Sequence, residues 1–438
     1  MDRSAPQGIG RSGSSGPPAG SAAPPSRTAD EPQRMSERRT SLVGGLLVAI
    51  GPVSMALYTP AMPTLVEAFA TSEATVKLTL SLYFGGFAAT QLVCGPLSDA
   101  FGRRRITVLF MLLYLAGSLI AVVAPTIGWL LAARLIQGIG ASVGIATARA
   151  IVRDQFTGER SARIMTTISI ILAIGPALSP TIGGLALHLS GWHAIFVVMV
   201  LFGLGIIAVA LLVMKETAHP DPALIRPARL LRSYRRILGH PVFVASALTL
   251  GGSVGTLYTL ATILPFVLIG RAGLSPAEFG LGMLGQSGMF LAGSLALRLL
   301  MRRRPAQRLV GPGLVLMAAA SVALVLSTLL VPPTYLSIMA PIGVYAFGIA
   351  LVIPAMTTAA LAPFPTIAGA ASAALGFIQM SLGLLGGLAS AALPNPVAAV
   401  RIVVPALALV AIAGFFVHRR LAAREGLKAE PDLEAPET

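Results

Sequence analysis

Runs of apolar residues long enough to cross a bilayer recur along the whole chain, and no soluble fold tolerates that many. A helix needs about 20 apolar residues to span about 30 Å of hydrocarbon. Stretches of that kind lie at 41–61, 77–97, 106–125, 128–149, 162–187 and 192–214. A second set follows at 242–268, 276–300, 309–330, 335–358, 367–391 and 398–417. The pattern implies an all-α membrane protein with twelve transmembrane helices in two six-helix halves, 41–214 and 242–417. Ten or eleven spans is the alternative if a weak run re-enters the membrane. Only 11% of the 438 residues are charged, against about 25% in soluble domains.

The charges sit between the apolar runs. Arg38, Arg39, Arg103–Arg105, Arg149, Arg153, Arg160, Arg163, the group from Arg226 to Arg236, Arg302–Arg304, Arg308, Arg419 and Arg420 fall on one side. The other side holds Lys77, Arg271 and Arg401. Positive residues stay on the cytoplasmic side, so both termini are expected there. The net charge of +15 is thereby explained by topology, and nucleic acid is not an expected partner. Cys94 is the only cysteine and the five histidines lie at span ends, so no metal or cofactor site is expected. Residues 1–40 are rich in Ser, Gly, Pro and Ala and read as a disordered cytoplasmic tail. A second tail, 418–438, turns acidic towards Thr438. In the linker, 215–241, Arg226, Arg229, Arg232 and Arg236 recur at helical spacing with apolar residues between them. That predicts a basic amphipathic helix on anionic lipids; docking of a protein partner is the alternative.

The halves echo each other. Gly293-Ser-Leu295 before Met301-Arg-Arg-Arg304 repeats Gly95-Pro-Leu97 before Arg103-Arg-Arg105, and Gly386-Gly387 repeats Gly183-Gly184. Parallel repeats of this kind place a binding site at the midplane between the halves.

Three motifs suggest mechanism. The first is the hairpin Gly95-Pro-Leu-Ser-Asp99-Ala-Phe-Gly102-Arg-Arg-Arg105, where Gly95 and Gly102 allow close approach and a sharp turn. It resembles the loop 2–3 signature of the major facilitator superfamily of secondary transporters. The second is Arg134-Leu-Ile-Gln137-Gly138-Ile-Gly140. Arg134 lies six residues after Gly128, hence about 9 Å into the membrane, where an unpaired arginine costs several kcal/mol and usually marks a pathway. An arginine snorkelling to the interface is the competing reading, but Gln137 one turn on favours a polar cavity wall. The run resembles the fourth-span signature of drug/proton antiporters, and Arg149, Arg153 and Asp154 at its end resemble the bicyclomycin/chloramphenicol-resistance (Bcr/CflA) branch. The third is Gly175-Pro176-Ala-Leu-Ser-Pro180-Thr-Ile-Gly183-Gly184. Its prolines remove backbone bonds and its glycines allow close helix contact. It resembles the fifth-span antiporter signature.

One position departs from that branch. Its first span ordinarily carries an acid where this chain has Ala56, and no Asp or Glu lies well inside any run. With Ser41 at the inner end, Ala56 sits about 22 Å up, at a depth similar to Arg134. The resemblance implies an inner-membrane exporter of small amphipathic drug-like compounds or metabolites, acting as a monomer by rocking its halves, with protons as the coupling ion. The missing acid favours a metabolite or anion facilitator without protons as the alternative. Asp99 is placed to latch the first half onto the eleventh span near Thr366–Ala370. Tyr58, Tyr83, Gln91, Gln137, Tyr258, Gln286 and Gln379 join Arg134 as cavity candidates, each alternatively a packed or interfacial residue. No cluster suits enzymatic chemistry; a transporter-like receptor is the remaining rival.

Overall fold

The computed structural model describes residues 35–218, 221 and 227–429, and all regular structure among them is helical. The first span is α1 (Glu37–Tyr58), continued through a 3-10 turn at Thr59–Ala61 into α2 (Met62–Ala68). The next are α3 (Glu73–Phe101) and α4 (Arg103–Val122). The fourth is α5 (Ile127–Ala141) joined to α6 (Val143–Gln155), and α7 (Gly158–Ser190) and α8 (Trp192–Leu212) close the first half. A short linker helix, α9 (Pro227–Leu238), precedes the second half. That half comprises α10 (Pro241–Leu268), α11 (Pro276–Leu300), α12 (Ala306–Leu330), α13 (Tyr335–Leu361), α14 (Ala368–Ala392) and α15 (Pro396–Ala429). Twelve of these segments are long and apolar enough to cross a membrane.

The helix ends follow local chemistry. Ser36 accepts from the Arg39 amide and starts α1 at Glu37, four residues before the apolar run. Ser275 and Glu278 form a reciprocal capping box on α11, and Thr334 with Ser337 does the same on α13. The break between α5 and α6 falls at Ser142, whose amide and hydroxyl both donate to the Ile139 carbonyl and tighten that turn. The turn between α3 and α4 is a single residue, Gly102, at φ +100°. A side chain there would be strained and would also meet the Glu216 carboxylate. Gly95 differs from expectation. It lies inside α3 with open space where its side chain would be, so it makes no close helix contact in this conformation.

Lipid gives helices no hydrophobic reason to associate, so close packing must hold them. Small residues provide it. Gly138 of α5 packs on the Tyr83 carbonyl of α3, and Gly144 of α6 packs on the Leu47 carbonyl of α1. Outward, α7 presents Ile170, Ile174, Leu178, Ile182, Leu185 and Leu189, all exposed at helical spacing, a stripe suited to acyl chains.

The linker helix is docked as well as amphipathic. Ile237 is buried and the Tyr234 hydroxyl donates to the Leu92 carbonyl of α3. Burial pushes the Tyr234 phenol up to about 12, so it remains a donor at neutral pH. Leu231, Leu238 and Arg232, Arg235 and Arg236 stay exposed. Arg226 and, of the two tails, residues 1–34 and 430–438 lie outside the described residues, whereas 37–40 begin α1 and 418–429 continue α15 as helix.

Candidate functional site

The halves meet along two seams, and the repeated glycine pairs build them symmetrically. In α7, Gly183 lies on the Leu57 carbonyl of α1 in its own half, while Gly184 lies on the Pro276 carbonyl of α11 in the other half. In α14, Gly386 lies against Thr259 of α10 in its own half, while Gly387 lies against Ser81 of α3 in the other half. One glycine of each pair thus closes a half and the next closes the molecule.

The two seams differ in extent. The α3–α14 seam runs the length of both helices, from Lys77 beside Ser390, through Ser81 at Gly387 and Gln91 at Gly376, to Arg149 of α6. Arg149 donates to the Ser372 hydroxyl at 2.5 Å, and Arg153 lies beside Gly369. The α7–α11 seam closes at one end only. There Thr181 donates to the Gly280 carbonyl at 3.0 Å, and Ser179, Pro180, Gly183 and Gly184 are buried. Towards the arginine-rich end, over 162–170, only Ile164 and Ile168 remain buried, both on the side of α7 that packs against α1. The halves are therefore parted on that side at the arginine-rich end.

Arg134 lies inside the first half. It is 0% exposed, with its guanidinium between the rings of Tyr58 and Tyr83 at 4.5 and 4.4 Å. Nη1 donates to Gln137 Oε1 at 2.7 Å, and Gln137 in turn donates to Ser118 at 2.8 Å. The tyrosines are held in turn, Tyr58 by Thr79 at 2.7 Å and Tyr83 by the Gly51 carbonyl at 2.9 Å. Nε and Nη2 of Arg134 have no hydrogen-bond partner, and among the described residues no carboxylate pairs with it. The expected cavity wall is thus a closed cluster here: Arg134, Gln137, Tyr58 and Tyr83 pack within one half, because depth along a helix does not fix the direction a side chain takes. Two aromatic faces partly offset the burial of the charge.

Of the other four candidates, Tyr258 and Gln91 touch residues of the opposite half. Tyr258 packs on Phe84 across the interface at 5.4 Å. Gln91 is buried against Gly376 with its Oε1 unpartnered. Gln286 and Gln379 are half-buried on α11 and α14, and Gln286 Oε1 also lacks a partner. In α7, Gly175 meets Val53 of α1, and Pro176 and Pro180 lie within a continuous helix.

The loop motif forms a charged hub. Arg103 is buried and bonds Asp99, Asp154 at 3.1 Å and Ser98 at 3.2 Å. Arg104 donates to the Ala210 and Leu211 carbonyls at the end of α8, and Arg105 is exposed. Asp99 is thus turned to Arg103 in this conformation. The sequence reading missed Glu216, whose carboxylate accepts from the amides of Arg103 at 2.7 Å and Arg104 at 3.1 Å and so fills the N-terminus of α4. Glu216→Ala is expected to destabilise the fold by about 1 kcal/mol, read as a lower midpoint in thermal unfolding in detergent. An unchanged midpoint would mean that water replaces the cap.

An all-helical chain with twelve membrane-crossing segments has a match among known families: the Major Facilitator Superfamily model fits residues 42–391. The chain belongs to the Major Facilitator Superfamily. It is 30% identical over 349 residues to an uncharacterized MFS-type transporter, YdgK, of Bacillus subtilis, covering 77% of this chain and 85% of that one. It is 28% identical to the multidrug transporter MdfA of Edwardsiella ictaluri, covering 75% of this chain and 80% of that one. It is 24% identical to the multidrug resistance protein MdtM of Salmonella typhimurium, covering 74% and 79%. Among solved structures, a bacterial homolog of the lysosomal transporter Spinster, in an inward-facing and unoccupied conformation, superposes with a TM-score of 0.67 at 17% identity. That match covers 92% of this chain and 99% of the other. A D-xylose–proton symporter gives a TM-score of 0.68 at 14% identity, covering 87% and 97%. This is a membrane transporter of the superfamily.

Proposed function

We propose that the protein exports small amphipathic molecules across a bacterial inner membrane by rocking its two halves about the glycine-lined seams. The observation that carries this reading is the α7–α11 seam, closed at one end by Thr181, Gly184, Pro276 and Gly280 and parted at the other. On this reading the arginine-rich end faces the cytoplasm, as do both termini, and the conformation is closed at the outer end and parted at the inner end on the α7–α11 side alone. Multidrug relatives support efflux, and the Arg134, Arg149–Asp154 and Gly175–Gly184 motifs support the Bcr/CflA branch. In the outward-open state Asp99 leaves Arg103 for the N-terminus of α14, where its charge is favoured. The exposed arginines and leucines of α9 rest on anionic lipid.

A second reading, transport of neutral or anionic compounds without proton coupling, is favoured by Arg134 having no carboxylate. Its charge is fixed in the first half whatever the state of the cavity. Two unit charges about 10 Å apart interact by about 1.7 kcal/mol at an effective dielectric of about 20, a discrimination of about fifteenfold. Bacteria producing the protein are expected to accumulate less of a neutral chloramphenicol-like or an anionic sulfonamide-like compound, and to exclude quaternary ammonium dyes far less well. Ala56→Asp is expected to shift that preference towards cations. Equal export of dyes and neutral compounds by the wild type would make Arg134 purely structural. Repeating the assay with the proton gradient collapsed decides coupling: antiport stops, facilitation continues.

A further inference from the structure

At the outer end, the α3–α14 seam is closed by a buried lysine. Lys77 stands one turn into α3 and is 2% exposed. It lies at the floor of a vestibule of about 470 Å³ lined by Glu73, Arg271 and the chain from Ala391 to Pro394. Its Nζ donates to the Ser390 carbonyl of α14 at 3.5 Å, lies 5.2 Å from the Phe266 ring centre of α10, and is 3.9 Å from Glu73. Glu73 in turn reaches Arg271 of the second half at 3.9 Å.

The acceptor is unusual for a reason written in the sequence. Ser390 lies in the last turn of α14, where carbonyls have no following amide and the helix end is negative. The residue four places on is Pro394, which has no N–H to give. This carbonyl therefore needs a donor from outside the helix, and the other half brings a cation to it.

We propose that Lys77 is the outer latch of the transport cycle, a positioning residue whose ammonium grips the C-terminus of α14 and holds the outer side closed. The proposal rests on the alternating-access reading above. It also gives α3 a symmetric role. α3 and α14 are antiparallel, and α3 carries Lys77 near one end and Asp99 near the other, about 33 Å apart at 1.5 Å per residue. Cation meets helix C-terminus at the outer end, and in the proposed outward-open state acid would meet helix N-terminus at the inner end. In this conformation the outer contact is made and Asp99 is paired within its own loop. Glu73 keeps the buried ammonium company and ties Arg271 to the same point.

The test measures conformation, independently of transport. Spin labels at Glu67→Cys and Ala392→Cys, in full-length protein carrying Cys94→Ala and held in lipid nanodiscs, report the width of the outer seam by pulsed electron resonance. Lys77→Met is expected to raise the open-to-closed ratio about tenfold, the size of one charge-assisted hydrogen bond at a helix end. Lys77→Arg is expected to keep the wild-type ratio. Pro394→Ala leaves Lys77 untouched but gives α14 an amide for the Ser390 carbonyl. It is expected to shift the ratio the same way by a smaller amount, and it decides the matter if Lys77→Met does not fold. An open fraction that is the same in wild type, Lys77→Met and Pro394→Ala would overturn the latch while leaving rocking intact. A seam that never opens in any of them would overturn the alternating-access reading itself.

Discussion

Arg134→Met is expected to cut export of anionic cargo by about fifteenfold while changing export of neutral cargo little and leaving the protein about as stable as the wild type. The opposing terms nearly cancel. The buried guanidinium loses its hydration and keeps two nitrogens, Nε and Nη2, without partners, each worth about 1–3 kcal/mol of penalty. Against that stand two aromatic faces of about 2 kcal/mol each when desolvated and one charge-assisted bond to Gln137. Methionine fills similar space between Tyr58 and Tyr83 and packs well on rings, so stability should stay within about 2 kcal/mol of wild type. Arg134→Ala differs, because the cavity between the tyrosines adds about 2–5 kcal/mol of destabilisation and transport should be lost altogether. Flux measured beside thermal unfolding checks both. Normal flux in Arg134→Met would show that the charge serves only the packing of the first half.

Gly183→Leu and Gly184→Leu are expected to fail in different ways, although the residues are neighbours. A side chain at Gly183 drives into the Leu57 carbonyl of the same half. That half cannot assemble around it, and little folded protein should be recovered. A side chain at Gly184 meets the Pro276 carbonyl of the other half. Each half then folds, but the closed end of the α7–α11 seam is wedged. Overpacking of about 1–3 kcal/mol shifts the closed population five- to about 150-fold, and export should fall accordingly. Yield, monodispersity and flux separate the cases. Equal behaviour of the two variants would contradict the assignment of one glycine to each interface.

Much of this architecture is legible in the sequence because membrane spans announce themselves by length and apolarity, and the loop 95–105 by its ordered Gly, Asp and Arg. What the sequence withholds is direction around a helix. Spacing placed Arg134 at a depth similar to Ala56, and Arg134 meets Tyr58, two residues further on. It could not say that Tyr83, on another helix, would cover the other face of the guanidinium, or that the cluster would close inside one half. Gly95 shows the same limit: a glycine in a motif need not be in contact in a given conformation. Lys77 read as an ordinary outer charge because its acceptor is 313 residues away, although Pro394 marks the Ser390 carbonyl as one lacking a helical partner. Glu216 was hidden in the linker, where nothing in the local pattern ties it to the start of α4.

The central claim is that the halves must part at the α7–α11 seam for anything to cross. Thr181→Cys with Ala277→Cys, which flank the contact between Gly184 and Pro276, can be joined by a short, reducible bifunctional thiol reagent in protein carrying Cys94→Ala. Flux of an exported compound through proteoliposomes is then followed before linking, after linking and after reduction. The expected result is that linking stops flux and reduction restores it. Undiminished flux through the linked protein would contradict the account.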